Sequence, residues 1–138
     1  MLIAGLIAGV VINVGQYLGN STLFRQEWRV IMETYNLGHV SGFTIIFFNV
    51  MALILGVVMV FLYASLESRL GGGFKTDLII AILVWFLVWI QGFGGTLLLG
   101  IFPLSLVGMT VVWGLLVVII ASIAGDSFYR KENGSDGK

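Results

Sequence analysis

Four amide side chains stand within apolar stretches of this 138-residue chain, and their chemistry is hydrogen bonding without charge. They are Asn13, Gln16, Asn49 and Gln91. A buried amide without a partner costs about 1–3 kcal/mol, so we expect these groups to bind one another or a ligand. As bonds between helices they would contribute roughly 0.6 kcal/mol each. As a pocket they would hold a small neutral solute or a lipid headgroup, but amides alone would not shuttle protons.

His39 is the single histidine of the chain and precedes the second apolar stretch. One imidazole cannot make a metal site without further ligands, and cysteine is absent, so we expect no metal site. A single nitrogen beside small residues can still be an axial ligand to a haem or chlorophyll-type tetrapyrrole. The alternative is an interfacial or helix-capping histidine. No serine stands in a recognisable arrangement with histidine and a carboxylate, so the sequence predicts no enzyme.

Composition assigns the chain to the membrane. Apolar residues make up 59% of it and charged residues only 10%, whereas soluble domains carry about 25% charged residues. Seven basic and seven acidic residues are too few to form a water-exposed surface for a chain of this length, so lipid must solvate much of it. The net charge is zero and no basic tract occurs, so we expect no nucleic-acid partner. The expected partners are membrane lipids and other integral membrane subunits.

Four uncharged apolar stretches are long enough to cross about 30 Å of hydrocarbon, which takes about 20 helical residues. They cover residues 2–19, 41–66, 78–100 and 104–125. The predicted fold is all-α, a four-helix transmembrane bundle forming a single domain over residues 1–138. Five Lys and Arg residues fall on the side of the termini, against Arg25 and Arg29 opposite. The positive-inside rule then places both termini, including a tail over residues 126–138, in the cytoplasm, and we expect a bacterial inner-membrane protein.

The long first connection predicts an amphipathic interfacial helix over about residues 21–36. Its apolar side chains share an arc of about 100° on a helical wheel, and they are Phe24, Trp28, Ile31, Met32 and Tyr35. Charged and polar side chains lie opposite, and Asn20 or Ser21 can cap the helix. Trp and Tyr suit the membrane interface, so the helix closes the bundle from the outer leaflet. Alternatively, Trp28, Met32 and Tyr35 dock another subunit.

Small and polar residues mark the faces through which helices associate in lipid. In the first span they form one stripe of Gly5, Gly9, Asn13, Gln16 and Asn20. In the second span a seven-residue series joins Gly42, Asn49, Gly56 and Tyr63. We expect the two stripes to meet. The glycines beside Gln91 in the third span permit a kink, a close crossing or a cavity.

No ionisable residue falls within the four predicted spans. Glu33, Glu67 and Asp77 all lie at or beyond their ends. Proton-coupled and ion-coupled carriers commonly place a charged residue within a span, so a self-contained proton-driven antiporter is disfavoured.

Three motifs occur together in this chain: AGVVINV at residues 8–14, a GGG-x-K turn from Gly71 to Lys75, and Pro103 in the last hairpin. In these the chain resembles uncharacterised small four-helix bacterial membrane proteins of the domain-of-unknown-function kind. The resemblance covers the whole chain and implies the same four-helix fold. It implies no activity and no catalytic residue.

Three functions are compatible with this pattern. The leading hypothesis is a non-catalytic accessory or structural subunit of a larger membrane complex, because packing features abound and no catalytic constellation is present. The second is a small oligomeric carrier or channel for a neutral solute or a lipid, since four helices alone enclose little space. The third is a pigment- or haem-binding subunit of an energy-converting complex, based on His39 and the four tryptophans.

Overall fold

Helices make up nearly all of the structure, a computed structural model that describes residues 1–134. In chain order they are α1 (Leu2–Leu18), a π-helical segment (Gly19–Leu23), α2 (Arg25–Thr34), α3 (Gly42–Leu70), α4 (Phe74–Trp85), a second π-helical segment (Phe86–Ile90), α5 (Gln91–Leu98) and α6 (Leu104–Glu132). No strand occurs in this part of the chain. The predicted all-α fold class is confirmed.

Four helical stretches are long and apolar enough to cross a membrane. They are Leu2–Leu23, Gly42–Leu70, Phe74–Leu98 and Leu104–Glu132. The third combines α4, the second π-helical segment and α5. The four predicted spans are therefore present, as in an integral membrane protein.

The helices extend past the charged residues at which the predicted spans end. The second continues to Leu70 instead of residue 66, and the fourth continues to Glu132 instead of residue 125. The third begins at Phe74 and ends at Leu98, against a predicted 78–100. The predicted tail is thus helical over residues 126–132, while residues 135–138 lie outside the described part. A charged residue limits the stretch that can lie in hydrocarbon, but it does not end a helix, whose backbone hydrogen bonds continue outside the apolar layer.

The first connection differs from its prediction at its beginning. Residues 19–23 continue α1 as a π-helix, and α2 starts only at Arg25, so a helix over 21–36 is too long. Neither Asn20 nor Ser21 caps it, because the N-cap position is Phe24 and no side chain bonds there. The amphipathic helix itself exists. Its placement at the membrane interface stays a prediction.

α1 lies between α3 and α6 and packs against both, while α4 packs mainly against α6. Small residues on α1 allow this central position, since Ala4 and Ala8 are fully buried. The core around them consists of Ile12, Met59, Val60, Tyr63, Ile80, Ala81, Val84, Trp89, Val117, Val118 and Ala121. The Met1 ammonium group pairs with the Glu132 carboxylate, which places the N-terminus beside the end of α6.

Candidate functional site

A buried polar network joins α3 and α6 at the end of the bundle where the N-terminus lies. The Tyr63 hydroxyl on α3, a residue only 2% exposed, accepts hydrogen bonds from Nη2 of Arg130 at 2.8 Å and from the Gly73 amide at 2.9 Å. Nε of Arg130 donates to Oδ1 of Asp126 at 2.9 Å. Asp126 is itself buried, so its charge is compensated by the guanidinium inside the protein.

Asp77 extends this network to the first turn of α4. Asp77 is 3% exposed. The Ser122 hydroxyl donates to two of its oxygens, Oδ1 at 3.2 Å and the backbone carbonyl oxygen at 3.1 Å. Ser122 lies one turn before Asp126 on α6, so the Asp77 carboxyl reaches the same face of α6 as Asp126. Two carboxyl groups therefore share the neighbourhood of one guanidinium, that of Arg130. We call Tyr63, Asp77, Ser122, Asp126 and Arg130 the polar network.

The glycine turn between α3 and α4 is part of this arrangement. Gly71 and Gly73 have φ values of 81° and 115°, which side chains rarely adopt. The turn is fixed by the fully buried Thr76, whose hydroxyl donates to the Gly71 carbonyl at 2.5 Å. This conformation directs the Gly73 amide at Tyr63. Backbone geometry thus explains Gly71 and Gly73, whereas a Cβ on Gly72 would lie 3.2 Å from the Tyr63 hydroxyl oxygen.

The polar network corrects two sequence-based expectations. The sequence predicts Asp77 at or beyond the end of a span and Asp126 in a cytoplasmic tail, yet both are buried in helices of the bundle. The most deeply buried polar side chains are therefore not the four amides. One sequence pattern does indicate the network: Ser122, Asp126 and Arg130 are spaced four residues apart and therefore share one face of α6. Both carboxyl groups also fall inside candidate spans, Phe74–Leu98 and Leu104–Glu132, so the argument against proton coupling, that no ionisable residue lies within a span, does not hold for these longer helices.

Of the four amides, only Asn13 and Asn49 are brought together. Nδ2 of Asn13 donates to the Asn49 backbone carbonyl at 3.1 Å, and Nδ2 of Asn49 donates to the Ile45 carbonyl at 2.7 Å. Gln16 is half-buried, and its Nε2 has no hydrogen-bond partner within residues 1–134. Gln91 is exposed on α5. The described part of the chain therefore does not surround one pocket with all four amides.

Of the three glycines predicted to pack between helices, Gly9 and Gly56 lie in a helix contact and Gly42 does not. A Cβ built on Gly56 would overlap the Gly9 backbone, and one built on Gly9 would lie 2.5 Å from the Leu53 Cα. α1 and α3 are thus in backbone contact where their small residues meet, as predicted. Gly42 is exposed with nothing within 4 Å of such a Cβ, so it takes no part in this contact, and its packing role stays a prediction. It stands at the first residue of α3, beyond the stretch of close contact.

The predicted docking residues of α2 are engaged by their own chain. Nε1 of Trp28 donates to Oδ1 of Asn20 at 3.0 Å, and its ring packs edge-on against Phe102 with centroids 5.5 Å apart. The Tyr35 hydroxyl donates to the Ile101 carbonyl at 3.0 Å, and Met32 is half-buried. These contacts fasten α2 over the turn between α5 and α6. They leave less of its apolar face for another protein.

His39 is exposed in the loop between α2 and α3. The tryptophans, which supported a pigment site together with it, have partners in the chain: Nε1 of Trp85 donates to the Val111 carbonyl at 2.7 Å and Nε1 of Trp113 to the Gly15 carbonyl at 2.9 Å. Trp89 packs against Gly114, where a Cβ would overlap its indole ring. A tetrapyrrole at His39 stays a prediction that an absorption spectrum of the native protein would test.

Within residues 1–134 no group of three or more His, Cys, Asp and Glu side chains could hold a metal ion. Comparison of the chain with models of protein families, with curated proteins and with solved structures gives no match.

Proposed function

We propose that this protein is a non-catalytic accessory or structural subunit of a larger membrane protein complex. The observation that carries the proposal is the position of Gln91. Its amide is exposed at the start of α5, inside the third candidate span. A polar group directed at lipid is costly, because hydrocarbon offers no hydrogen bond in exchange for water.

The surroundings of Gln91 suit the approach of another helix. Gly92 and Gly95 lie beside it on α5, and a Cβ built on either would meet nothing within 4 Å. Small residues let two helix backbones come close in lipid, and a side-chain amide then bonds across the contact. We call Gln91, Gly92 and Gly95 the α5 face. Its proposed occupant is a transmembrane helix of another subunit that offers small residues and one hydrogen-bonding group.

α5 contributes little to its own bundle, which supports the same conclusion. None of its residues is buried, although α4 earlier in the same span buries five. The second π-helical segment separates these two parts. The packed half of the span anchors the helix, and the other half is free to contact a neighbour. We further propose that the complex resides in a bacterial inner membrane, with both termini in the cytoplasm.

An oligomeric carrier or channel is a second proposal, supported by the shared depth of two exposed amides. Asn49 lies seven residues after Gly42 and Gln91 seven residues before Leu98, so each is about 10 Å from the same end of the bundle. Adjacent copies can bring the two amides together along a shared pathway. If Gln91→Leu and Asn49→Leu leave solute flux into proteoliposomes unchanged, the carrier or channel proposal is contradicted.

The accessory-subunit proposal is tested by extraction from native membranes in mild detergent. Blue-native electrophoresis with mass spectrometry should find the protein co-migrating with a stoichiometric integral membrane partner. Gln91→Leu should release that partner, whereas Ile120→Leu, at a residue of α6 that is 58% exposed, should retain it. A protein that migrates alone, or a partner that both variants retain equally, would contradict the proposed role of the α5 face.

A further inference from the structure

An apolar groove lies on the outside of the bundle, between α6 and the start of α2. It is lined by Leu23, Phe24, Gly108, Met109, Val112, Trp113 and Leu116, and its volume is about 430 Å³. The α6 residues that line it extend along the helix from Gly108 to Leu116, a distance of about 12 Å at the usual helical rise. The groove therefore leads from one membrane surface toward the middle of the bilayer.

The lining of the groove suits a hydrocarbon chain. It consists of apolar side chains and one glycine, and its α6 wall is about 12 Å long. A hydrocarbon chain is the molecule that surrounds an apolar groove at this depth in a bilayer. A Cβ built on Gly108 would meet nothing within 4 Å. The groove is therefore open at this residue, and a hydrocarbon chain can enter there.

Positive charge stands at the outer end of the groove. Arg25 follows Phe24 directly, and Arg29 lies one turn further along the same side of α2. Both are exposed, and neither takes part in an ion pair within residues 1–134. Glu27 lies about 200° around the helix from Arg25, and Glu33 lies one turn beyond Arg29. Two arginines beside an apolar groove complement an anionic phosphate attached to an acyl chain.

We propose that this groove binds one acyl chain of an anionic phospholipid, whose phosphate is held by Arg25 and Arg29. Leu23 and Phe24 cover the upper part of the chain, and Val112 and Leu116 contact its deeper part. This site is separate from the α5 face and does not depend on the protein being a subunit of a complex. The bound lipid would fasten the start of α2 to α6 and complete that side of the bundle.

Native mass spectrometry of the full-length protein, released from detergent micelles containing phosphatidylglycerol and phosphatidylcholine, tests the site. The wild type should retain one phosphatidylglycerol per chain. Gly108→Leu fills the groove from an open position and should lower this occupancy by about tenfold or more, because several methylene groups lose their contacts. Gly94→Leu, at another open glycine outside the groove, should have no effect. Val112→Phe, at a residue that is 63% exposed, blocks the same groove by a second route.

The headgroup is tested separately. Arg25→Gln with Arg29→Gln should lower the preference for phosphatidylglycerol over phosphatidylcholine by about tenfold, while acyl-chain retention persists. The control pair is Arg69→Gln with Lys75→Gln at the opposite end of the bundle, which should keep the preference. Equal lipid retention in the wild type, Gly108→Leu and Val112→Phe would overturn the proposal, as would a protein that occupies the groove instead. If only the control variant, Arg69→Gln with Lys75→Gln, lost the preference for phosphatidylglycerol, the phosphate would not be held by Arg25 and Arg29.

Discussion

Arg130 joins two helices by donating to Asp126 one turn earlier on α6 and to the Tyr63 hydroxyl on α3, at 2.9 Å and 2.8 Å. Asp126 and Tyr63 are almost completely buried, so the guanidinium satisfies groups that water does not reach. Buried ion pairs add little net stability, but removing one partner leaves the other charge uncompensated. The polar network therefore makes the docking of α4 and α6 on α3 specific.

Replacing Arg130 with Gln should lower the free energy of unfolding by about 1–3 kcal/mol, because Asp126 loses its hydrogen-bonded cation. The measurement is denaturant unfolding in detergent, followed by circular dichroism. Lys131→Gln is the matched control, since Lys131 is exposed and forms no ion pair within the described residues. Asp126→Asn combined with Arg130→Gln should be less destabilising than the sum of the single variants. Equal losses from Arg130→Gln and Lys131→Gln would show that the network is not stabilising.

The contact of α1 with α3 should not tolerate a single methyl group at its centre. Gly56→Ala places a Cβ against the Gly9 backbone, which cannot move aside like a flexible side chain. We expect a loss of about 1–3 kcal/mol in the free energy of unfolding from this overpacking. Gly42→Ala makes the same change on the same helix in open space and should differ little from the wild type. If both variants unfold alike, the close approach at Gly56 is not present in the folded protein.

Gly114 is the surface on which the Trp89 indole rests, and Gly114→Ala should displace that ring. Trp89 is 4% exposed, so its displacement should shift the tryptophan emission to longer wavelength and lower the thermal midpoint. The expected loss of stability is about 1–3 kcal/mol. Gly42→Ala, which adds the same methyl group in open space on α3, is the control and should leave the emission spectrum unchanged.

The proposed orientation is testable because the chain contains no cysteine. Gln26 on α2 and Ser68 near the end of α3 are both exposed and belong to opposite ends of the bundle. A membrane-impermeant maleimide should label Gln26→Cys in intact cells and Ser68→Cys only after lysis. The reverse pattern would place the termini outside and contradict the positive-inside prediction.

The sequence predicted the parts of the fold that depend on local pattern. The four spans follow from apolar length, and the pairing of α1 with α3 follows from the spacing of Gly5, Gly9 and Gly56. The role of Gly42 could not be predicted in this way, because a seven-residue repeat gives a helix face but not the length over which two helices touch. The burial of Asp77 was missed because sequence patterns cannot show whether a charge has a tertiary partner.

The direction of Gln91 was missed for a different reason. The π-helical turn over Phe86–Ile90 inserts an extra residue into the third span and rotates everything after it relative to α4. Counting 100° per residue from Trp85 therefore does not give the direction of Gln91. No feature of the sequence marks this segment. The α5 face, on which the proposed function depends, becomes visible only in three dimensions.

Site-specific photo-cross-linking in native membranes tests the central claim most directly. A photoreactive residue at Gly95 on the α5 face is compared with one at Ile120, a residue of α6 that is 58% exposed. We predict a cross-link from Gly95 to one membrane protein, lost when Gln91→Leu is introduced, and no protein cross-link from Ile120. Cross-links from neither position, or equally from both, would contradict the assignment of this protein as a subunit that docks a partner helix through α5.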